Sequence, residues 1–191
     1  MADVMKYCSA CGALVALTIP EGDSLPRYVC TSCGAIHYQN PKIITGCIAT
    51  WNEKILLCRR AIEPRRGLWT MPAGFMENNE TAQYGAARET MEEAQAQVSD
   101  LKLFGVFNIP HISQVYLMFT GHVLDGYSAP GSESLETNWF DETEIPWQQL
   151  AFPVVYESLQ LYFKDKNNHH ETVHFGDIIR DKDNEVTINR Y

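Results

Sequence analysis

Residues 74–96 read GFMENNETAQYGAARETMEEAQA, and the spacing of the acidic residues in this stretch is the most informative feature of the chain. Glu89, Glu92 and Glu93 stand at i, i+3 and i+4, the spacing at which side chains on a helix become neighbours. Like charges at this spacing destabilise an isolated helix by roughly a few tenths of a kcal/mol, and the cost grows with burial. A divalent metal ion would remove that cost. The pattern therefore predicts a metal-binding helix, which we expect from about Thr81 to Glu93.

The same stretch resembles the Nudix box, whose pattern is G-x5-E-x7-R-E-U-x-E-E-x-G-U with U an aliphatic residue. The positions that match without an insertion are Gly74, Glu80, Arg88, Glu89, Glu92 and Glu93. Thr90 takes the first aliphatic position, and Gln95 replaces the glycine near the end of the box, which leaves the end of the helix open. A solvated acidic helix is the ordinary alternative for the Glu-Glu pair alone, and the six matched positions argue against it.

The resemblance implies a role for each acidic residue of the box. The implied ligands of the catalytic Mg2+ or Mn2+ are Glu89, Glu92 and Glu93, with the backbone carbonyl around Ala73 or Gly74. By the same resemblance Arg88 orients Glu89, Glu89 also handles the attacking water, and Glu80 supports them from outside the ligand set. Clustered carboxylates suit such hard cations, which bridge to substrate phosphates and lower the pKa of a bound water. The implied reaction is hydrolysis of a pyrophosphate.

Residues outside the box are candidates for contacts with the substrate. Many members of the family add a carboxylate from a later loop, and here we prefer Glu136 as the catalytic base and assign Glu133 to substrate binding. Solvated loop acids are the alternative for both. Arg65 and Arg66 precede the box and could grip phosphate oxygens, although surface arginines are commonly only solubilising. The candidates for stacking on a base or flavin, with a place in the core as the alternative, are Phe107, Tyr116 and Trp139.

Four of the six cysteines form two C-x2-C pairs, Cys8 with Cys11 and Cys30 with Cys33. This is the spacing of a zinc ribbon, in which four thiolates complete a closed tetrahedral site that serves structure. Two disulfides or a redox C-x2-C are the alternatives, but a cytoplasmic chain argues against the first and the doubled motif against the second. Residues 7–38 are therefore expected to form a ribbon that depends on Zn2+.

The charge of the chain restricts its partners. With 15 basic and 24 acidic residues among 191, the formal charge of -9 argues against a broad surface for nucleic acid or anionic membrane. No apolar run approaches the roughly 20 residues of a membrane span, and the opening MADVMKYCSACG lacks the regions of a signal peptide. We therefore expect a cytoplasmic protein without a membrane partner.

The order of predicted elements gives the domain organisation. We predict a zinc ribbon over residues 1–40, a Nudix domain over 41–165, and a polar tail over 166–191 in which an added strand is one option. The strand-like runs cover Ile43–Trp51, Ile55–Arg60, Leu101–Asn108 and Gln114–Val123. Apolar residues recurring at helical spacing after Pro153 indicate a closing helix. The resemblance implies an α/β/α sandwich, an α+β fold with a mixed sheet.

The tail contains three histidines, His169, His170 and His174. They are interpreted as surface positions rather than a second metal site.

The likeness extends to particular groups within the family. A ribbon before a Nudix domain resembles NADH pyrophosphatases, but the SQPWPFP-like segment of that group is replaced here by NIPHISQVYLMF. The segments HYQNPK, LLCRRAIEPRRGLWTMPAGFMEN, ESLE and EIPWQQLAFP are closer to a bacterial group related to plant FAD pyrophosphatases, with ADP-ribose hydrolases as a wider comparison.

The sequence therefore predicts a Mg2+- or Mn2+-dependent hydrolase that cleaves a dinucleotide-type small molecule into AMP and a phosphate ester. FAD and ADP-ribose are favoured, while NADH, other nucleoside diphosphate sugars and the NAD cap of RNA stay open, because the box reads only the pyrophosphate. Resemblance to dimeric Nudix enzymes implies a homodimer. The alternative is a regulatory module that senses a metabolite or binds nucleic acid or protein.

Overall fold

The chain divides after Pro41 in the computed structural model, which describes residues 5–183 and 185–191. One unit ends at Pro41, and the other runs from Lys42 to Tyr191. None of the helices in the described part of the chain is long and apolar enough to cross a membrane.

The first unit is a ribbon of short antiparallel strands. Within its described residues the strands are β1 (Val15–Thr18), β2 (Arg27–Cys30) and β3 (Ile36–His37), in the order β1-β2-β3. Gly12 and Gly34 follow the second cysteine of each pair with φ of 75° and 73°, a backbone conformation that favours glycine. Each glycine amide donates a hydrogen bond to the carbonyl of the first cysteine of its pair. Within its described residues Cys8 and Cys30 are the buried hydrophobic side chains, so the unit has little apolar core of its own.

The second unit is built on one mixed sheet. Its strands are β4 (Lys42–Trp51), β5 (Lys54–Arg60), β6 (Trp69–Thr70), β7 (Ala73–Phe75), β8 (Val98–Ile109), β9 (Gln114–Val123), β10 (Ser134–Phe140), β11 (His174–Arg180) and β12 (Val186–Arg190). The order is β10-β5-β4-β9-β8-β11-β12, with β6 paired to β5 and β7 to β4. The β4–β9 and β11–β8 pairs are parallel and the others antiparallel. The predicted mixed sheet is confirmed.

Two helices of the described chain, α1 (Ala82–Ala94) and α2 (Pro153–Asn168), cover opposite faces of this sheet. In β4, Ile48 belongs to the core cluster that contains the apolar residues of α2, whereas Cys47 and Ala49 belong to the cluster that contains Ala94 of α1. Successive residues of a strand point to opposite faces, so the two clusters lie on either side of the sheet. The predicted α/β/α sandwich is confirmed.

The predicted polar tail forms the end of α2 and two strands at one edge of the sheet. β11 pairs in parallel with β8, and β12 pairs antiparallel with β11. The buried carboxylate of Glu157 on α2 accepts hydrogen bonds from the guanidinium of Arg190 on β12, with Nη2 to Oε2 at 2.9 Å. His174 lies on β11, with its Nε2 2.7 Å from Oδ2 of Asp165.

Candidate active site

The helix α1, which carries three of the box glutamates, begins where the sequence predicts. Thr81 caps it, accepting a hydrogen bond on its side chain from the amide of Tyr84 at 3.2 Å. Gly85 allows the helix to approach the sheet, because a β-carbon there would lie 2.7 Å from Thr45 Oγ1 and 2.8 Å from Glu80 Oε1. The first turn of α1 and the side chain of Glu80 are thereby packed against β4.

Arg88 joins three carboxylates of the candidate site. Its Nε and Nη2 donate to the two oxygens of Glu80 at 3.0 and 2.9 Å, a bidentate pair. Its Nη1 donates to Oε1 of Glu89 at 2.7 Å and to Oε2 of Glu92 at 2.9 Å, and its Nη2 also donates to the carbonyl of Phe75 at 3.1 Å. Arg88 and the Glu77 amide lower the pKa of Glu80 to about 2. Glu80 therefore stays ionised and fixes the arginine that holds Glu89 and Glu92.

Glu89 and Glu93 are the two carboxylates of the site whose ionised forms are disfavoured. Glu93 is only 7% exposed, and burial followed by the charge of Glu89 raises its pKa to about 8. The Ala73 amide, which donates to Glu93 Oε2 at 3.3 Å, and the charge of Arg60 act in the opposite direction. Burial also raises the pKa of Glu89, against the effect of Arg88. A divalent cation beside both groups would offset the loss of solvation and the repulsion.

Strand β7 brings the backbone of residues 73 and 74 against the same two carboxylates. β7 is held by β4, with Ala73 opposite Gly46 and Gly74 opposite Thr45. A β-carbon on Gly74 would overlap the carboxylate of Glu89, so no larger residue fits there without moving it. Two carboxylates beside a strand backbone make an oxygen-rich donor set, which suits Mg2+ or Mn2+, and Arg88 joins the carboxylate of Glu92 to that of Glu89. The residues present therefore fit the divalent metal that the sequence predicts.

The loop between β9 and β10 brings Glu133 to this cluster. Its backbone amides at Ala129 and Gly131 donate to the carbonyls of Ala94 and Glu93 at 2.8 and 3.0 Å, so the loop satisfies the end of α1. The charge of Glu133 contributes to the raised pKa of both Glu89 and Glu93. Glu133 is therefore an electrostatic neighbour of the box.

Glu136, the acid that we preferred from the sequence, lies elsewhere. Its Oε1 is 3.2 Å from Nη1 of Arg59, in an ion pair whose side chains are both more than 40% exposed. The register of β10 against β5 shifts between Ser134 and Glu136, a bulge that redirects the side chains around it. The structure thus gives Glu136 a partner on β5 and leaves Glu133 beside the box.

Arg60 is a residue that sequence reasoning passed over. It ends β5, its Nε donates to the carbonyl of Pro64 at 2.9 Å, and its guanidinium lies 5.1 Å from the ring centre of Phe152. It lines a small groove with Ala73 and Tyr116. Its position in the sequence could have identified it as a candidate. A charged residue at the end of an apolar strand lies at the edge of the sheet, next to the loops that carry most binding residues.

The other candidates from the sequence have different surroundings. Arg65 and Arg66 are exposed in the loop between β5 and β6, and within the described residues no hydrogen bond or ion pair involves their side chains. Phe107 is 1% exposed in the core beneath α2. Trp139 packs on Trp51, with ring centres 5.9 Å apart.

The ribbon cysteines converge on one point. The sulfur atoms of Cys8, Cys11, Cys30 and Cys33 all lie within 4.8 Å of one another, and none of them is in a disulfide. Amides of Ser32 and Cys33 donate to Cys30 Sγ at 3.4 and 3.3 Å and lower the pKa of that thiol to about 6. The four sulfurs fit a structural Zn2+. Among the described residues they form the only group of metal-ligating side chains that close together, and the three tail histidines belong to no such group.

Comparisons with known proteins agree with this geometry. A model of the Nudix N-terminal zinc ribbon matches residues 6–39, and a model of the NUDIX domain matches residues 41–162. The crystal structure of a NUDIX hydrolase from Nitrosomonas europaea is 54% identical and superposes with a TM-score of 0.88 over 92% of this chain and 100% of that one.

Two curated relatives are more distant. The NAD-capped RNA hydrolase NudC of Vibrio atlanticus is 30% identical over 148 residues, which are 76% of this chain and 53% of the relative. The ADP-ribose pyrophosphatase of Methanocaldococcus jannaschii is 30% identical over 121 residues, which are 60% of this chain and 69% of the relative. The chain thus spans about half the length of the NudC relative.

Proposed function

The chain belongs to the NUDIX family, and from this premise we propose that it hydrolyses the pyrophosphate of an ADP-linked metabolite to AMP and a phosphate ester. The observation that carries the proposal is the cluster in which Arg88 holds Glu80, Glu89 and Glu92 while Glu93 lies buried beside Ala73. Repulsion within this cluster is useful to a protein that binds a divalent cation and costly to one that does not.

The chain's own residues divide the work as follows. Mg2+ or Mn2+ held by Glu89, Glu92 and Glu93 would supply neutralisation of the pyrophosphate and activation of water. Arg88, fixed by the ionised Glu80, keeps the carboxylates of Glu89 and Glu92 in one orientation. Glu93 must lose its proton to act as a ligand, and the Ala73 amide and Arg60 favour that ionised form.

We assign the catalytic base to Glu133 rather than to Glu136. A base must lie within reach of the water whose proton it accepts, and the assignment is supported by the charge of Glu133, which acts on Glu89 and Glu93, and by the backbone bonds that join its loop to the end of α1. Glu136 is engaged with Arg59 on the neighbouring strand. The departing proton would pass to the Glu133 carboxylate as the water oxygen bonds to one phosphorus of the pyrophosphate. The bond from that phosphorus to the bridging oxygen would break, and the bridging oxygen would leave with the other phosphate, giving AMP and the phosphate ester.

Substrate binding is assigned to arginines around the groove. The Nε of Arg60 donates to the carbonyl of Pro64, and its guanidinium lies over the ring of Phe152, which orients its remaining nitrogens for a phosphate oxygen. Arg65 and Arg66 stand on the adjoining loop, where a bound polyanion could recruit them. Tyr116 and Phe152 line the same groove and are the aromatic surfaces available to a base or flavin.

FAD and ADP-ribose are the favoured substrates, and a relative named as an ADP-ribose pyrophosphatase supports the second. The test incubates the protein with Mg2+ and, in parallel, FAD, ADP-ribose, NADH and NAD-capped RNA, and measures AMP by chromatography. Glu93→Gln is the matched inactive control. We expect AMP from FAD or ADP-ribose with the wild type and none above background with Glu93→Gln.

NAD-capped RNA is the second candidate, because proteins named as NAD-capped RNA hydrolases are among the relatives of this chain. The formal charge of -9 disfavours a long RNA, so we expect turnover of short dinucleotides to be faster. A metabolite sensor would bind these compounds without releasing AMP. If no substrate gave AMP, the hydrolase hypothesis would be rejected in favour of the metabolite sensor.

Assembly and location are further parts of the proposal. We propose a homodimer in the cytoplasm, as the resemblance to dimeric Nudix enzymes implies. Light scattering of the purified protein tests whether it is a dimer, since the mass of one chain is 21.7 kDa and a dimer has twice that mass. A mass near that of the single chain at micromolar concentration would exclude a stable dimer.

A further inference from the structure

The helix α1 ends on a residue that is not the glycine of the family pattern. Gln95 occupies the left-handed region with φ 50° and ψ 28°, and its amide donates to the carbonyl of Met91. Glycine adopts this conformation without steric cost, whereas a residue with a β-carbon does not. The helix therefore stops at residue 95 as the family pattern requires, but with a side chain that glycine lacks.

That side chain contacts the loop before β10. Its Nε2 donates to the carbonyl of Pro130 at 2.9 Å, a contact between residues 35 positions apart. The backbone bonds from Ala129 to Ala94 and from Gly131 to Glu93 flank it. Of these three bonds between the end of α1 and the loop, only the one from Gln95 depends on a side chain.

The tethered segment leads directly to Glu133. A β-carbon on Gly131 would overlap the carbonyl oxygen of Glu92, so the loop is in direct contact with the helix that carries the metal ligands. Two residues later, the carbonyl of Glu133 accepts a hydrogen bond from the Ala61 amide at 2.8 Å. The backbone at Glu133 is therefore held from two sides, by Ala61 just after β5 and by the contacts of residues 129–131 with α1.

Electrostatic repulsion opposes the close approach of the loop to α1. The charge of Glu133 acts on Glu89 and Glu93, and like charges repel, so neutral contacts between the loop and α1 counteract this repulsion when no metal is bound. A hydrogen bond from an uncharged amide adds such a contact without adding to the charge. We propose that Gln95 is a positioning residue, whose amide ties Pro130 to the catalytic helix and so holds Glu133 within reach of the attacking water. The inference rests on the proposed role of Glu133 as the base.

The test compares four proteins: the wild type, Gln95→Gly, Glu133→Gln and the double variant. Glycine keeps the helix end and removes only the tether. A general base contributes about a hundredfold or more to rate, so we expect Glu133→Gln to lower kcat by about that factor. Partial misplacement in Gln95→Gly should lower kcat by about tenfold with KM within about twofold. In the Glu133→Gln background the glycine substitution should change kcat by less than about twofold, because the group that it positions is gone.

Two further measurements separate positioning from folding. Amide hydrogen exchange at Ala129 and Gly131 should be faster in Gln95→Gly than in the wild type, while the thermal unfolding midpoint should not fall. Gln95→Lys keeps a long donor and should recover part of kcat. Wild-type kcat and wild-type exchange in Gln95→Gly would overturn the inference, as would an equal loss of kcat in both backgrounds.

Failure of the proposed function gives a different pattern. Full kcat in Glu133→Gln, together with none in Glu93→Gln, would overturn the base assignment and this inference but leave the hydrolase intact. Absence of turnover by the wild type on every substrate would overturn the proposed function and, with it, the positioning role. If amide hydrogen exchange at Ala129 and Gly131 were also unchanged in Gln95→Gly, the tether itself would be absent.

Discussion

Gly74 and the carboxylate of Glu89 lie so close together that residue 74 has no room for a side chain. A β-carbon on residue 74 would overlap the carboxylate of Glu89, although the two residues belong to different elements, β7 and α1. β7 cannot easily withdraw, because it is paired with β4. The carboxylate therefore keeps its place because residue 74 has no side chain.

Gly74→Ala is the first prediction. The new methyl group should turn the Glu89 carboxylate away from the metal position, and misplacement of a catalytic group by about 1 Å can cost about a hundredfold in rate. We expect kcat/KM for the best substrate to fall by about that factor, measured from AMP release. Phe75→Leu on the same strand is the control, since it leaves the Glu89 carboxylate undisturbed, and should keep the rate within about twofold. A wild-type rate in Gly74→Ala would contradict the placement of Glu89.

Arg88→Lys tests whether the fork of the arginine matters beyond its charge. A lysine keeps the positive charge but cannot hold Glu80 with two nitrogens while reaching Glu89 and Glu92. We expect kcat to fall by about a hundredfold and the affinity for Mn2+ to fall by about tenfold, the lower limit for losing a group that orients metal ligands. The affinity is measured by electron paramagnetic resonance. If the lysine variant kept both properties, the charge alone would account for the role of Arg88.

Glu93 makes the stability of the metal-free protein depend on pH. Burial and the charge of Glu89 raise its pKa from 4.5 to about 8 in the folded chain. Below pH 4.5 both folded and unfolded chains bind the proton, so no stability is lost. As pH rises from 4.5 to 8, only the unfolded chain releases it, and the free energy of unfolding should fall across this window.

Urea unfolding between pH 4 and 9 in the presence of a chelator measures this effect. The informative quantity is the difference between the wild type and Glu93→Gln, because groups that do not interact with Glu93 titrate equally in both. We expect the variant to gain stability relative to the wild type as pH rises, with the gain complete near pH 8. Parallel curves for the two proteins would show that the pKa of Glu93 is not raised by folding.

His37 gives a prediction for the ribbon. Its Nε2 lies 3.3 Å from Sγ of Cys8, where an N–H group would stabilise the negative sulfur of a zinc thiolate. We expect His37→Phe to release zinc to a chromogenic chelator about tenfold faster than the wild type. His111→Phe is the control, and Cys30→Ser, which removes a ligand, should purify without zinc. Equal release rates for wild type and His37→Phe would leave His37 without a role at the metal.

The parts of the molecule that the sequence predicted depend on local spacing. The position of α1 follows from the box pattern, and the cysteine pairs follow from two short turns, so both could be recognised from residue order alone. The α/β/α arrangement was available because the resemblance covers most of the chain.

The parts that the sequence did not give depend on contacts between distant segments. Our proposal of Glu133 rather than Glu136 as the base rests on a bulge in β10 and on loop bonds to the end of α1, and neither is encoded in the spacing of the two acids. Arg60 lies over the ring of Phe152, a residue 92 positions away in the sequence. The tail was judged by its polarity, but an edge strand such as β12 is largely solvated and carries no strong apolar pattern.

The central claim is that Glu89, Glu92 and Glu93 gather a divalent cation against the pyrophosphate of the substrate. It is tested most directly by the anomalous signal of Mn2+ in a crystal grown with a non-hydrolysable ADP-ribose analogue. The account predicts a peak within about 2.2 Å of carboxylate oxygens from these residues and of a phosphate oxygen of the analogue. A peak away from all three carboxylates, with the pyrophosphate bound elsewhere, would contradict it.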